Sequence, residues 1–277
     1  MVEILTRFLG TEILADRLRA GEEILFVSDL HLRPDEGDKI RAFRTLLERR
    51  PAGSRVFILG DLFDYWVGPA QGRAEGWREL LDLLRNECAR GLSILVLHGN
   101  RDFQLGKAFE KKTGARVWRG GLHLQRPGNL PLLCLHGDEL CLDDHRYQKA
   151  KVHLRSMPLR FLLRSLPFFL SRKLADTARK QSRRVLQNSQ DKNLLPTTEA
   201  FSALSKHPSL FPCDLLFGHI HRASHGTLPG AGGEARFFVL PAFEAGEEGH
   251  ALLRGKELVL ILHGKEDPSF GTRFPCS

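Results

Sequence analysis

Five short apolar runs in this chain each give way to a polar segment built from Asp, Asn, His and Gly, and this repeated ending constrains the fold most. Ile24-Leu25-Phe26-Val27 runs into Ser28-Asp29-Leu30-His31, Arg55-Val56-Phe57-Ile58-Leu59 into Gly60-Asp61, and Ile94-Leu95-Val96-Leu97 into Gly99-Asn100-Arg101-Asp102. Leu132-Leu133-Cys134-Leu135 is followed by His136-Gly137-Asp138, and Leu215-Leu216-Phe217 by Gly218-His219-Ile220-His221. Apolar runs this short and continuous read as strands buried on both faces. Helical periodicity over Ile40–Arg50 and Trp77–Arg90, with Gly91 as a stop, separates the first three runs. Strand, helix and strand in alternation predict an α/β core. Further strands are expected at Arg236–Leu240 and Ala251–Leu262, the latter a hairpin around Arg254-Gly255-Lys256. Residues 1–20 read as an N-terminal extension, helical from the spacing of Ile4, Leu5, Phe8, Leu9, Ile13 and Leu14, and residues 21–277 as one domain.

The endings share one chemistry. Asp29, His31, Asp61, Asn100, His136, His219 and His221 offer carboxylate, amide-oxygen and imidazole ligands, a mixed set that divalent metals such as Mn²⁺ accept. Asp29 and His31 are two apart, so a strand end would project both side chains the same way. Asp61, at the next strand end, can bridge two ions. Open α/β sheets form their binding crevice beyond the carboxyl ends of the strands, where these residues would meet. Singly, each is as readily a turn residue or a core histidine; a buried cluster of them needs a compensating charge. Two ions about 3.5–4 Å apart activate a hydroxide and clamp a phosphate without a protein nucleophile. Cys141 therefore reads as a small buried side chain.

A net charge of +8 and a pI near 9.5 point to an anionic partner: nucleic acid, an acidic membrane surface or a phosphorylated substrate. Much of this charge lies between about 145 and 207, where the only acidic residue from Arg146 to Arg184 is Asp176. Leu154, Leu159, Phe161, Leu166, Phe168 and Phe169 interleave with the arginines, and Pro158 and Pro167 divide the region into short helices. Such a stretch can line an acyl-chain cavity and dock on an anionic leaflet, or can simply cover the core with a solvated charged face. The five cysteines form no CxxC pair and fit a reducing cytosol. No run approaches the roughly 20 apolar residues that span a bilayer, and charges interrupt the N-terminus where a signal peptide would need an apolar core.

The five segments resemble the calcineurin-like metallophosphoesterases, whose fold is two sheets sandwiched between helices. Gly60-Asp61-Leu62-Phe63-Asp64-Tyr65-Trp66-Val67-Gly68, Gly99-Asn100-Arg101-Asp102-Phe103 and His136-Gly137-Asp138-Glu139-Leu140-Cys141-Leu142-Asp143-Asp144, with Tyr147-Gln148 after it, look like the UDP-2,3-diacylglucosamine diphosphatases of lipid A biosynthesis. The resemblance spans about 24–264. It implies hydrolysis of the pyrophosphate by water attacking the uridine-side phosphorus, giving UMP and 2,3-diacylglucosamine 1-phosphate. It also implies two metal ions, expected to be Mn²⁺. By position Asp29, His31, Asp61 and His221 would hold one, and Asp61, Asn100, His136 and His219 the other.

Asp61 and Arg101 would be catalytic, Arg101 contacting the phosphate through its guanidinium. Asn100 and His219 would also meet substrate, while Asp144 and Tyr147 would touch its glucosamine or acyl portion or else pack on the adjoining helix. Thr177, Gln181 and Arg184 stand where the family places Ser, Asn and Lys in a basic helical lid. Another departure is Gly218-His219-Ile220-His221-Arg222-Ala223, since the family usually has Thr between the histidines and Pro after Arg. The expected setting is a monomer, cytoplasmic and peripheral on the inner membrane, with no nucleic acid bound.

Two other readings compete. A nuclease or other metallophosphodiesterase would use the positive charge on phosphates, but the basic residues alternate with Leu and Phe rather than with base-stacking aromatics. A scaffold without turnover should have lost ligands, and all seven are present.

Overall fold

The computed structural model describes residues 2–154, 170, 173, 195–228, 235–255 and 257–267. Thr177, Gln181, Arg184 and most of the expected lid lie outside the described residues.

Four layers follow from the strand periodicity. In β2 (Glu23–Val27), Leu25 and Val27 face one way and Ile24 and Phe26 the other, as successive side chains of a strand must. Leu25 and Val27 join Val56 and Ile58 of β3 (Arg55–Ile58) and Ile94 and Val96 of β4 (Ser93–Leu97) beneath three helices. These are α2 (Gly37–Glu48), α3 (Trp77–Ala89) and α4 (Lys107–Thr113), which contribute Phe43, Leu47, Leu80, Leu84 and Phe109. Ile24, Phe26 and Phe57 pack instead on Leu122, Leu132, Leu216 and Phe238 of a second sheet. The outer face of that sheet, with Leu133, Leu215 and Phe217, is covered by Leu5 and Leu9 of α1 (Val2–Thr11) and by Phe201 and Leu204 of α6 (Thr198–Ser205). The Thr197 side chain caps α6 by accepting from the Ala200 N–H at 3.2 Å.

The first sheet has the order β13-β12-β11-β2-β3-β4-β5 and includes β5 (Arg116–Trp118), β11 (His250–Arg254), β12 (Glu257–Leu262) and β13 (Lys265–Asp267). Strands β2 to β5 run parallel, and β11–β12 is the expected hairpin. The second sheet has the order β1-β6-β7-β8-β10-β9. It comprises β1 (Ile13–Arg17), β6 (Gly121–Gln125), β7 (Leu132–Cys134), β8 (Asp214–Phe217), β9 (Ser224–Thr227) and β10 (Arg236–Val239). All five ligand-bearing segments leave the carboxyl ends of β2, β3, β4, β7 and β8, at one rim of the sandwich.

The N-terminus corrects the periodicity reading. The helix stops at Thr11, and Ile13 and Leu14 belong to β1, which pairs parallel with β6 from Ile13↔Gly121 to Arg17↔Gln125. Glycine permits this approach, because a Cβ on Gly120 would sit 1.7 Å from the Glu12 carbonyl oxygen. A pairing partner more than 100 residues away overrode the local spacing.

Candidate metal centre

The ligand side chains reach one point through a backbone that ordinary strands do not adopt. Asp29, His31, Asp61, His219 and His221 all have left-handed φ, at 52°, 47°, 52°, 67° and 63°. Asp29 and His31 therefore do not project by strand alternation as their spacing suggested; each is turned inward by its own residue's conformation. Positive φ is uncommon outside glycine, costs on the order of 1–3 kcal/mol and persists where surrounding contacts enforce it. Here the loops enforce one another. Asp29 N–H donates to the Gly60 carbonyl at 3.2 Å and His31 N–H to the Asp61 carbonyl at 2.9 Å. Gly218 is needed for the closeness of the rims, since a Cβ there would lie 2.3 Å from Asp29 Oδ2.

Asp29, His31 and His221 bring ligand atoms within 4.8 Å of one another, and Asp29, Asp61 and His136 form a second such group. Asp29 Oδ1 lies 3.4 Å from His221 Nε2 and 3.9 Å from His31 Nε2. Asp61 Oδ2 stands 3.7 Å from His31 Nδ1 and 3.8 Å from His136 Nε2, so it lies between the two groups. Asn100 Oδ1 is 3.0 Å from His136 Nε2, and the His219 ring meets the His136 ring edge-on at 5.1 Å. His136 Nδ1 donates to the Leu59 carbonyl at 2.8 Å, which fixes the tautomer and turns Nε2 toward Asp61 and Asn100. Every expected ligand is thus at one centre. The residues fit a metal: Asp29 Oδ1 and His31 Nδ1 are buried without a hydrogen-bond partner among the described residues and lie within clusters of further ligand atoms. Buried polar atoms are rarely left so, and a cation would satisfy both.

Electrostatics agree. Burial, with Asp102 and Asp29 nearby, pushes the Asp61 carboxyl up to about 7 against the pull of the His136 and Arg101 charges. Burial would lower His136, yet Asp61 and Asp29, then Asp138 and Glu139, push it up to about 9. Burial brings His219 down to about 4, and burial with the Arg101 charge lowers His31. Burial opposes ionisation of Asp29, but contact with His221 and the charges of His136, His221 and His31 hold it well below the usual carboxylate range. These carboxylates rely on imidazole charge in a space where a divalent ion would serve better.

Arg101 stands beside the centre, its Nε 3.7 Å from Asp61 Oδ2 and its backbone N–H donating to Asp61 Oδ1 at 2.9 Å. Asp144 caps α5 (His145–Leu154), its Oδ1 accepting the Tyr147 N–H at 3.0 Å. The Tyr147 hydroxyl donates to Asp138 Oδ2, which also accepts from Lys151 Nζ at 2.8 Å. Asp102 and Asp138 stand in the motif segments, and Lys151 in the basic stretch that follows, with no task evident from their spacing. Asp102 is buried and its carboxylate accepts the N–H groups of Gly99 at 2.9 Å and Leu62 at 2.8 Å, fastening the Asn100 and Asp61 loops together. An Asp three residues past a glycine turn was the signal available for it.

Residues 23–223 match the family model described as calcineurin-like phosphoesterase. A protein named UDP-2,3-diacylglucosamine hydrolase from Pseudomonas fluorescens is 36% identical over 200 residues, 72% of this chain and 79% of its own length. Proteins of the same name from Pseudomonas aeruginosa and Nitrosococcus oceani are each 34% identical, over 78% and 74% of this chain and 89% and 82% of theirs.

Proposed function

The chain belongs to the calcineurin-like phosphoesterase family, and from that premise we propose that it hydrolyses the pyrophosphate of UDP-2,3-diacylglucosamine in lipid A biosynthesis. The products are UMP and 2,3-diacylglucosamine 1-phosphate. The observation that carries this is the pair of partnerless buried ligand atoms, Asp29 Oδ1 and His31 Nδ1, inside two adjoining ligand groups. Together with the substrate in the relatives' names, it selects metal-assisted hydrolysis of a phosphoanhydride over a scaffold.

Asp29, His31, Asp61 and His221 would hold one divalent ion, and Asp61, Asn100, His136 and His219 the other; we infer Mn²⁺ from the oxygen and imidazole donors. Bound there, the ions supply Lewis acidity and lower the pKa of an attacking water. The protein's own part is positional. The Leu59 carbonyl keeps His136 in the ligating tautomer, and Asp102 holds the Asp61 and Asn100 loops in register. Arg101, 30% exposed, can reach from the rim to the substrate phosphate and oppose developing negative charge. Asn100 and His219 would meet the same phosphates, and Asp144 and Tyr147 would touch the glucosamine or acyl portion or else pack on α5. Thr177, Gln181 and Arg184, outside the described residues, would add contacts to the acyl-glucosamine portion.

No helix among the described residues is long and apolar enough to cross a membrane. The enzyme works as a cytoplasmic monomer held peripherally on the inner membrane by its basic lid, without nucleic acid. The test is Mn²⁺-dependent UMP release from UDP-2,3-diacylglucosamine beside a nucleotide diphosphate lacking acyl chains. Release from the lipid substrate alone is expected; activity on both compounds, or on the soluble one alone, would keep the metal site and transfer the function to another phosphate ester.

A further inference from the structure

Asp64, the last residue of Gly60-Asp61-Leu62-Phe63-Asp64, has no part in the ligand set, yet it is buried beside the centre and its Oδ1 accepts from Arg101 Nη1 at 2.8 Å. We infer that Asp64 is a positioning residue that holds the Arg101 guanidinium away from Asp61 and open toward the substrate phosphate. The inference rests on the reading of Arg101 as the phosphate contact.

Two acidic groups compete for this guanidinium. Asp64 Oδ1 has it at hydrogen-bond distance, whereas Asp61 Oδ2 is 3.7 Å from Nε, an ion pair without a hydrogen bond. Among the described residues Arg101 is otherwise fixed through its backbone, by its N–H on Asp61 Oδ1 and its carbonyl accepting the Trp66 N–H at 3.1 Å. A guanidinium so placed and released from Asp64 would fold onto Asp61 as a close pair, taking a carboxylate oxygen that lies among the metal ligands. Asp64 can resist this because its own segment is rigid. Its N–H donates to the Leu32 carbonyl at 3.3 Å, and Phe63 bridges to Leu32. The next turn is stapled by Gln71, whose Oε1 accepts the Val67 N–H and whose Nε2 donates to the Tyr65 carbonyl, both at 2.9 Å. Phe63 and Trp66 stack at 5.2 Å and pack edge-on against Trp77 and Phe109. Nearby Arg33 is held by Asp35 through Nε at 2.9 Å and through Nη2, and feels the Asp64 charge as well.

The experiment compares Asp64→Ala, Asp64→Asn, Arg101→Ala and the Asp64→Ala/Arg101→Ala double variant. It reads kcat and KM for UMP release, Mn²⁺ binding by the electron paramagnetic resonance of the free ion, and the thermal midpoint. Asp64→Ala should lower kcat about tenfold or more with little change in KM, and weaken Mn²⁺ binding severalfold. Asn at this position keeps an acceptor and should restore most of both. In the Arg101→Ala background, Asp64→Ala should change neither quantity. Losses that multiply in the double variant, or an Asp64→Asn variant as impaired as Asp64→Ala, would overturn the inference. An Arg101→Ala protein as fast as wild type would instead remove the reading of Arg101 on which it stands.

Discussion

Asp29 and Asp138 are both fully buried aspartates lying beyond strand ends at the same rim, one after β2 and the other after β7. Asp138 receives a cation from the protein itself: Lys151 of α5 stands 2.8 Å from its Oδ2 and 3.1 Å from Glu139 Oε1, and the Tyr147 hydroxyl donates alongside. Among the described residues Asp29 has the His219 N–H on Oδ2 at 2.7 Å, and beside Oδ1 the imidazoles of His221 at 3.4 Å and His31 at 3.9 Å. A buried carboxylate must be neutralised somehow. Where the chain provides a lysine the acid becomes an anchor for a helix; where it provides only imidazoles the acid is left as a candidate metal ligand. The two carboxylates should therefore answer differently to mutation and to added ions.

The largest effect is expected where the metal side is broken. Asp61→Ala removes the carboxylate between the two ligand groups, and turnover should fall by about 10³-fold or more, the scale of losing a principal electrostatic group. The variant should remain folded, because it deletes a carboxyl that burial already penalises. Steady UMP release above a tenth of the wild-type rate would exclude the two-metal reading.

The anchor side breaks through stability instead. Lys151→Met leaves Asp138 and Glu139 buried without their shared cation, a loss of about 3 kcal/mol or more. Denaturant unfolding measures it, and Mn²⁺ should not restore it. An unchanged midpoint would mean that Lys151 is spectator to these acids. Adding Mn²⁺ to metal-free wild-type protein gives the converse, smaller effect. At a concentration of 100 times the dissociation constant it should stabilise by about 2.7 kcal/mol. A thermal midpoint that ignores Mn²⁺ would break the comparison on its other side.

Much of this contrast was legible before the fold was. The seven expected ligands sit beside apolar runs, and buried strands leave few places for such residues except a shared rim. The hairpin β11–β12 and helices α2 and α3 were read within two or three residues of their ends, because each carries its own period. What escaped depends on partners distant in sequence. β1 and β6 are short strands stabilised by each other, and β9 is an exposed edge strand with the sequence Ser-His-Gly-Thr, too polar to show a period. The left-handed conformations of Asp29, His31 and His221 arise from hydrogen bonds between loops and leave no mark in residue spacing. Lys151 looked like one more charge in a basic stretch, since nothing in a sequence separates a solvated lysine from one that is 11% exposed against two acids.

Tyr147 is where the contrast can be drawn most finely, because its side chain was expected either at the substrate or packed on the adjoining helix, and its hydroxyl is found on Asp138. Its ring lies 6.0 Å from Lys151 Nζ, so phenol and ammonium converge on one carboxylate oxygen. Tyr147→Phe removes one of these two donors and keeps the stronger, charged one. The expected cost is about 1 kcal/mol of stability, that of a single hydrogen bond to a partner still neutralised, with kcat and KM within about threefold of wild type. A KM for the lipid substrate raised tenfold at unchanged stability would show that the hydroxyl leaves Asp138 for the glucosamine when substrate arrives. In that case the anchor would also be a ligand-exchange site, and the division between carboxylates that hold the helix and carboxylates that hold the metal would cease to be a fixed one.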